Sequence, residues 1–410
     1  MTFDLIETQF CEVCGNLDLK PVLNLGLHPL CDDLVESSDN RICNEFPIEV
    51  LHCVLCNTAH QRFQVPKELL FPSSYHYRSR FTADVLKGMA GLVKAVEHRF
   101  GSLQGKQVLD IGCNDGSLLD FFEESGAVCV GIEPTDAYLD ARCKGHRVYH
   151  DYLSFDVVDQ VIKENGRPDF ITFTNVFAHI ENLTEVLQLV DRLTDKTSVI
   201  VIENHYLGSV LLGNQFDTFY HEHPRTYSVG SFVQMAKSLN LDLIDVEFPE
   251  RYGGNVRVFL GAKSERKSNV GQDLYTSKEQ YFLEQFATMQ VNVDRWKFQK
   301  RRLIEKYFRK YGKIPAKAFP GRAAILIKLL GLNEEIISAV YEKPGSMKIG
   351  HYLPGTRIKI VSDLELFSNI NNNLPILNLA WHIPDEIESY LRENGYNGEI
   401  IDVVHADDFI

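Results

Sequence analysis

The sequence predicts an α/β fold in three parts, and three observations predict it. Residues 106–204 alternate short apolar runs with helix-periodic stretches, the chain beyond about 312 does so again, and the first seventy residues are instead rich in cysteine, proline and short apolar pieces. Apolar runs separated by helical periodicity read as βαβ units on a parallel sheet. At 410 residues the chain is too long for one ordinary core, which sets two or three domains as the expectation. The boundaries are drawn at 1–70, 71–265 and 266–410.

In the central part KQVLDIG, AVCVGIEP, PDFITFTNV and TSVIVIEN are strand-like, with the helical GSLLDFFEES between the first two. From about 271 to 312 the chain is long and charged, and from Ser277 it is free of glycine and proline until its end, which predicts one or two helices linking domains. Beyond it KIPAKAF, GRAAILIKLLGL, EIISAVYE, RIKIVS, PILNLAW, DEIESYLRENG and GEIIDVV alternate again, as a second, smaller α/β unit.

Hydrophobic content of 44% with 24% charged residues marks a globular chain. A formal charge of -14 repels a phosphate backbone, so no nucleic-acid partner is expected. The opening MTFDLIETQF lacks a basic segment followed by an apolar run, and no stretch nears the roughly 18 apolar residues of a membrane span. A cytoplasmic protein with no membrane partner is the expectation. Nine cysteines then argue for thiols or a metal site, not a disulfide framework.

Cys11-Glu12-Val13-Cys14 and Cys53-Val54-Leu55-Cys56 are two C-x-x-C knuckles. Together they supply the four thiolates that tetrahedral zinc prefers, and an ion can staple a segment too small to bury its own core. Four thiolates leave no position for water, so the Zn2+ is structural. The gap between the pairs is long, which keeps Cys31, Cys43, His28 and His52 as alternative ligands, and free buried cysteines are the plainer reading.

Asp110-Ile111-Gly112-Cys113-Asn114-Asp115-Gly116 is a strand running through a glycine-bearing turn into a helix. Such a turn lets the backbone approach a ligand, and Glu133, at the end of the next strand, can accept both hydroxyls of a ribose. The spacing has the D-x-G-x-x-x-G form of class I methyltransferases that use S-adenosylmethionine, where a dinucleotide fold would show G-x-G-x-x-G. Asp110, Gly112, Asn114, Gly116, Glu133 and Asn175, which ends FITFTN, are the cofactor candidates. A βα turn without a ligand is the plainer alternative.

With CEVCG, FPIEVLHCVLC, YHYRS, VLDIGCNDGSLL, NVFAHIENL, FDTFYHEHPRTYS, YGGNVRVFLG, KIGHYLPGTRIKI and LAWHIPDEI, nearly the whole chain resembles the sugar C-methyltransferases of deoxysugar pathways, which methylate C3 of nucleotide-linked 4-keto sugars. The resemblance implies a Rossmann-like class I methyltransferase domain flanked by a small N-terminal zinc-binding domain and a C-terminal Rossmann-like α/β domain. It implies S-adenosylmethionine as cofactor and a dTDP- or GDP-linked sugar as substrate; the residues do not fix the oligomeric state, and a monomer is the expectation. It also assigns His223 as a base, Glu222 to orient it or contact the sugar, and Tyr220 with Tyr77 as donors around a developing oxyanion. Tyr75, Gly254 and Asn255 would line the sugar. Where many members carry G-x-G-A-x-x-K, this chain reads AKAFPGRAAILI, and Pro320-Gly321-Arg322 can hold a phosphate through backbone amides and the Arg322 guanidinium.

That assignment gives a reason for two imidazoles, a carboxylate and a phenol within Tyr220-His221-Glu222-His223. Carbon has no lone pair to offer a sulfonium methyl, so a proton beside the ketone must leave first, to a base, while a donor meets the oxygen. An imidazole, with an unperturbed pKa of roughly 6.5, is a suitable acceptor near neutrality. His221 and His223 on one face of an extended segment can also bind a metal, or merely satisfy backbone carbonyls. His221 reads as structural, and His179 in FAHI as a core histidine packed near the cofactor strand. His205 and Tyr206 lie at a strand end, where ligands gather. The competing functions are O- or N-methylation of a small metabolite, and a zinc and cofactor-binding module without catalysis.

Overall fold

The structure, a computed structural model, describes residues 5–71, 77–250, 254–262, 277–369 and 374–409. The chain divides into two compact units. The first holds residues up to Pro21, Leu51–Val210 and Glu222–Leu283; the second holds Val22–Val50, Leu211–His221 and Glu284–Ile410.

In the first unit seven strands form one sheet: β1 (Gln107–Ile111), β2 (Val128–Ile132), β3 (Arg147–Tyr149), β4 (Phe170–Thr174), β5 (Val199–His205), β6 (Asp242–Glu247) and β7 (Asn255–Gly261). Their order is β6-β7-β5-β4-β1-β2-β3, with β1 to β5 parallel and β7 antiparallel to both of its neighbours. Period-2 alternation sorts the side chains between two faces. Ile171, Phe173, Ile200 and Ile202 pack with Val229, Phe232 and Met235 of helix Val229–Ser238, whereas Val108, Val199, Val201 and Phe259 pack with Val85, Met89, Leu92 and Val96 of helix Ala83–Phe100. Covered on both faces, β4 is buried at every position, which explains its unbroken apolar run in the sequence.

The cysteine-rich stretch adds short antiparallel pairings to this unit. Ile6–Glu7 pairs with Phe63–Gln64. Ala59–Gln61 pairs with Arg225–Thr226, His60 facing Arg225. The reversal just after the second histidine of the YHEH segment thus runs beside a cysteine knuckle.

The second unit carries a five-stranded parallel sheet of β8 (Ile314–Lys317), β9 (Ile337–Glu342), β10 (Ile360–Ser362), β11 (Ile376–Asn378) and β12 (Ile400–Asp402), in the order β10-β9-β8-β11-β12. The charged stretch expected to be helical forms one helix over Phe282–Tyr311. It buries Trp296 fully, and the indole N–H donates to the Val403 carbonyl at 2.8 Å. Among the described residues, no helix is long and apolar enough to cross a membrane.

Candidate active site

The knuckles close by turn chemistry. In each, the N–H after the second cysteine donates back to the carbonyl of the first, Gly15 to Cys11 at 2.7 Å and Asn57 to Cys53 at 2.8 Å. Both residues have positive φ, 76° and 56°, a conformation that glycine and asparagine take at least cost. The four ligand sulfurs lie within 4.8 Å of one another, with Cys11–Cys56 at 3.4 Å and Cys14–Cys53 at 3.5 Å. Zn–S bonds of about 2.3 Å at tetrahedral angles place sulfurs about 3.8 Å apart, so the cage fits the ion. Cys31, Cys43, His28 and His52 are not part of it. His60 Nε2 stands 3.3 Å from the Cys11 sulfur and Asn16 Nδ2 is 3.5 Å from that of Cys53, contacts of the kind that orient metal ligands. The neighbouring thiols and burial hold the Cys11 thiol above its ordinary value, while thiol donors around Cys53 lower that one.

At the glycine-bearing turn after β1, Gly112, Asn114 and Gly116 have φ of 71°, 51° and 74°. A Cβ on Gly112 would stand 2.6 Å from Val176 Cγ2, and one on Gly116 2.6 Å from the His146 ring, so these positions admit no side chain. Glu133 receives Asn114 N at 2.9 Å on one oxygen and Thr135 N at 2.9 Å on the other. Oε1 also accepts from Thr135 Oγ1 at 2.5 Å, so Oε2 is the oxygen that keeps a lone pair for a hydroxyl, which fits one contact of the ribose role. Burial raises Glu133 above the usual carboxylate range and pushes Asp110 up to about 7, even though Thr172 Oγ1 donates to Asp110 at 2.7 Å. Asn114 also secures the junction: its Oδ1 accepts from Ser79 N at 3.0 Å and its Nδ2 donates to the Tyr77 carbonyl at 3.2 Å. The half-exposed Tyr77 is thereby tied to the turn, whereas Tyr75 lies outside the described residues.

Beyond β4 and β5, three imidazoles converge. The His223 ring is 4.9 Å from that of His179 and 5.6 Å from that of His205. Pro224 bars the helical region to His223 and keeps the segment extended into its pairing with 59–61. His223 and Glu222 are buried, and the Glu222 carbonyl accepts from His179 Nδ1 at 2.7 Å. A carbonyl can only accept, so Nδ1 carries the proton and Nε2 the lone pair. Burial holds His179 down to about 4, neutral at pH 7. This is the buried, hydrogen-bonded histidine that FAHI led one to expect, although FAHI gives no local sign that its ring meets YHEH.

Asn175 and Asn255 meet at the same strand ends: Asn255 Nδ2 is 3.4 Å from Asn175 Oδ1 and 3.2 Å from Glu203 Oε1. Asn175 takes a φ of 55°, and Gly254, at 118°, would place a Cβ 2.4 Å from Ser209 Oγ. Arg257 neutralises the fully buried Glu203 at 2.7 Å. Beside it the buried Asn204 amide has a partner for neither its nitrogen nor its oxygen among the described residues.

Tyr220 and His221 belong to the second unit. His221 Nε2 lies 3.1 Å from the Phe46 carbonyl, and burial lowers the ring to about 4, in keeping with a structural role. Arg322 is held by Asp217, with Nε 3.4 Å from Oδ2, and by Thr218 Oγ1 at 3.1 Å, and its guanidinium lies 5.5 Å from the Trp381 ring centre. Its Nη2 is buried without a partner among the described residues.

Three family models cover the chain in succession: a zinc binding domain over residues 11–71, a methyltransferase domain over 77–246 and a C-methyltransferase C-terminal domain over 250–402. The C-methyltransferase NovU of Streptomyces niveus is 27% identical over 395 residues, 94% of this chain and 93% of that one. The ubiquinone biosynthesis O-methyltransferase of Bordetella avium is 29% identical over 96 residues, which span 23% of this chain and 40% of that protein. Among solved structures, the PH0226 protein of Pyrococcus horikoshii OT3 aligns at 14% identity and a TM-score of 0.37, covering 48% of this chain and 98% of that one.

Proposed function

We propose that this chain, matched in order by a zinc-binding, a methyltransferase and a C-methyltransferase C-terminal domain model, methylates C3 of a nucleotide-linked 4-keto-deoxysugar with S-adenosylmethionine. The observation that carries the reading is the buried His223 ring set against a neutral His179 at the strand ends, next to the glycine-bearing turn's own sheet. In this reading His223 takes the proton from the carbon beside the ketone, and Glu222 orients it or contacts the sugar. Tyr220 and Tyr77 donate to the oxygen as charge gathers on it. When bound, the cofactor supplies an electrophilic methyl group. Asp110, Gly112, Asn114, Gly116, Glu133 and Asn175 hold that cofactor, and Tyr75, Gly254 and Asn255 line the sugar. Arg322 offers a phosphate its remaining Nη2 donor. Residues 1–70, 71–265 and 266–410 serve as zinc-binding, cofactor and sugar-nucleotide parts, and the Zn2+ held by Cys11, Cys14, Cys53 and Cys56 is structural.

The test is a panel of dTDP- and GDP-linked 4-keto sugars incubated with methyl donor, with the product methyl located by NMR. A methyl on C3, deuterium entering that carbon from D2O without methyl donor, and loss of at least ~100-fold of both in His223→Ala are expected. A methyl on oxygen or nitrogen, or an undiminished rate in His223→Ala, overturns the reading.

A further inference from the structure

Arg225, two residues beyond His223, is wholly buried, yet nothing in the proposed chemistry uses it. All five of its N–H donors have acceptors. Nη1 binds the carboxylate of Glu12, a residue inside the first cysteine knuckle, and reaches the Glu181 carbonyl at 3.3 Å. Nη2 binds the Ile180 carbonyl and also reaches that of Glu181, at 3.3 Å. Nε donates to Tyr227 Oη at 3.0 Å, and that hydroxyl donates on to the Phe177 carbonyl at 3.4 Å. Every carbonyl bound lies in the turn 177–181 that carries His179. The cysteine cage grips the same segment elsewhere. His60, which touches the Cys11 sulfur, pairs with Arg225, Gln61 N donates to the Pro224 carbonyl at 2.7 Å, and Ser228 Oγ donates to the Cys56 carbonyl at 2.8 Å.

We propose that Arg225 is a positioning residue that, through Glu12, makes the cysteine cage the fixed reference for both His179 and His223. This rests on the reading of His223 as the base. A guanidinium suits the task because its planar fork fixes direction as well as distance, and because the low dielectric around it strengthens each bond. A displacement of about 1 Å at such a site is enough to cost roughly 100-fold in rate.

The test uses full-length, zinc-loaded protein carrying Arg225→Lys, or the pair Glu12→Gln and Arg225→Met. The paired variant removes both charges, so no buried carboxylate is stranded. Amide hydrogen exchange read by mass spectrometry needs no sugar substrate. At least ~10-fold faster exchange over 177–181 and 220–226 is expected, with zinc content unchanged and S-adenosylmethionine affinity within about twofold. On a sugar substrate kcat should fall about 10- to 100-fold while KM changes less, and Arg225→Lys should be milder than the paired variant. Wild-type exchange rates over both segments in the paired variant overturn the proposal. So does a fall in S-adenosylmethionine affinity that matches the fall in kcat. If the wild-type protein acts on no sugar while the exchange result holds, the sugar assignment fails and the role of Arg225 stands.

Discussion

The parallel parts of the two sheets begin alike and end their first strands differently. In chain order the five parallel strands of the central sheet and the five of the C-terminal sheet have the same sequence of neighbours, third-second-first-fourth-fifth. In both, an acid at or just past the end of the second strand accepts the backbone N–H of the turn after the first, Glu133 from Asn114 and Glu342 from Phe319. The central turn then keeps three residues at positive φ and a buried carboxyl, Asp110, that has no ion-pair partner among the described residues. The C-terminal turn is completed from within. Lys317, 1% exposed, is paired with Asp363 at 2.7 Å, and Lys348 caps the Phe319 carbonyl at 2.8 Å. The same topology therefore makes an open cradle at one edge and a filled one at the other, and the difference lies in which strand-end charges are neutralised by the chain itself. The filled edge is also where the glycine-rich turn of the resembling family is replaced by AKAFPGR.

The sharpest way to break this contrast is to strand a charge at the filled edge. Lys317→Met leaves Asp363 buried with no cation, and a loss of about 3–5 kcal/mol in denaturant unfolding is expected. Adding Asp363→Leu should restore most of it; if the double variant is no better than the single one, the ion pair is not what completes that edge.

At the open edge, Asp110 makes stability depend on pH. Its pKa is raised from the ordinary 3.8 to about 7 by burial, so the folded chain holds a proton that the unfolded chain gives up. The stabilising contribution is full below about pH 4 and is lost as pH rises towards 7, at most about 4 kcal/mol across the window. In cofactor-free protein, Asp110→Asn should flatten the unfolding free energy between pH 4 and 7. A profile parallel to the parent's would mean that Asp110 is ionised throughout.

Glycine substitutions should separate the two turns more gently. Gly112→Ala forces a side chain to φ 71° and against Val176, for about 2 kcal/mol and at least ~10-fold weaker S-adenosylmethionine binding by calorimetry. Gly321→Ala meets nothing nearer than 3.3 Å, at a φ that alanine accepts, and should cost under about 1 kcal/mol. Smallest of all, Ala318→Gly relieves a residue at φ 62° and should gain about 0.5 kcal/mol, since released strain slightly exceeds the added freedom of the unfolded chain. Thermal melts of the three side by side check the order.

Part of the site was legible because its chemistry is local. Each cysteine knuckle places two sulfurs by a four-residue turn, with Gly15 or Asn57 next to it to reverse the chain, and the four sulfurs do meet. The D-x-G-x-x-x-G turn likewise advertises its left-handed positions as Gly112 and Gly116, although Asn114, the third, gave only the weaker hint of a small polar residue. The contacts of His179, Arg225 and the Arg322–Asp217 pair were not legible, for the opposite reason. Their partners lie 43, 213 and roughly a hundred residues away, and nothing beside them in the chain distinguishes a buried charge from a solvated one.

By itself the sequence determined the alternation of strands and helices, the two metal-binding turns, the glycine-bearing turn and the crowding of imidazoles in YHEH, because each depends on residues a few positions apart. Tertiary structure alone decided that β7 runs backwards between β5 and β6, that residues 225–226 pair with 59–61, and that one buried guanidinium joins a knuckle to the turn that carries His179. Those outcomes follow from which charges and hydrogen-bonding groups are removed from water together, and burial is a property of the packed chain as a whole, not of any short stretch of it.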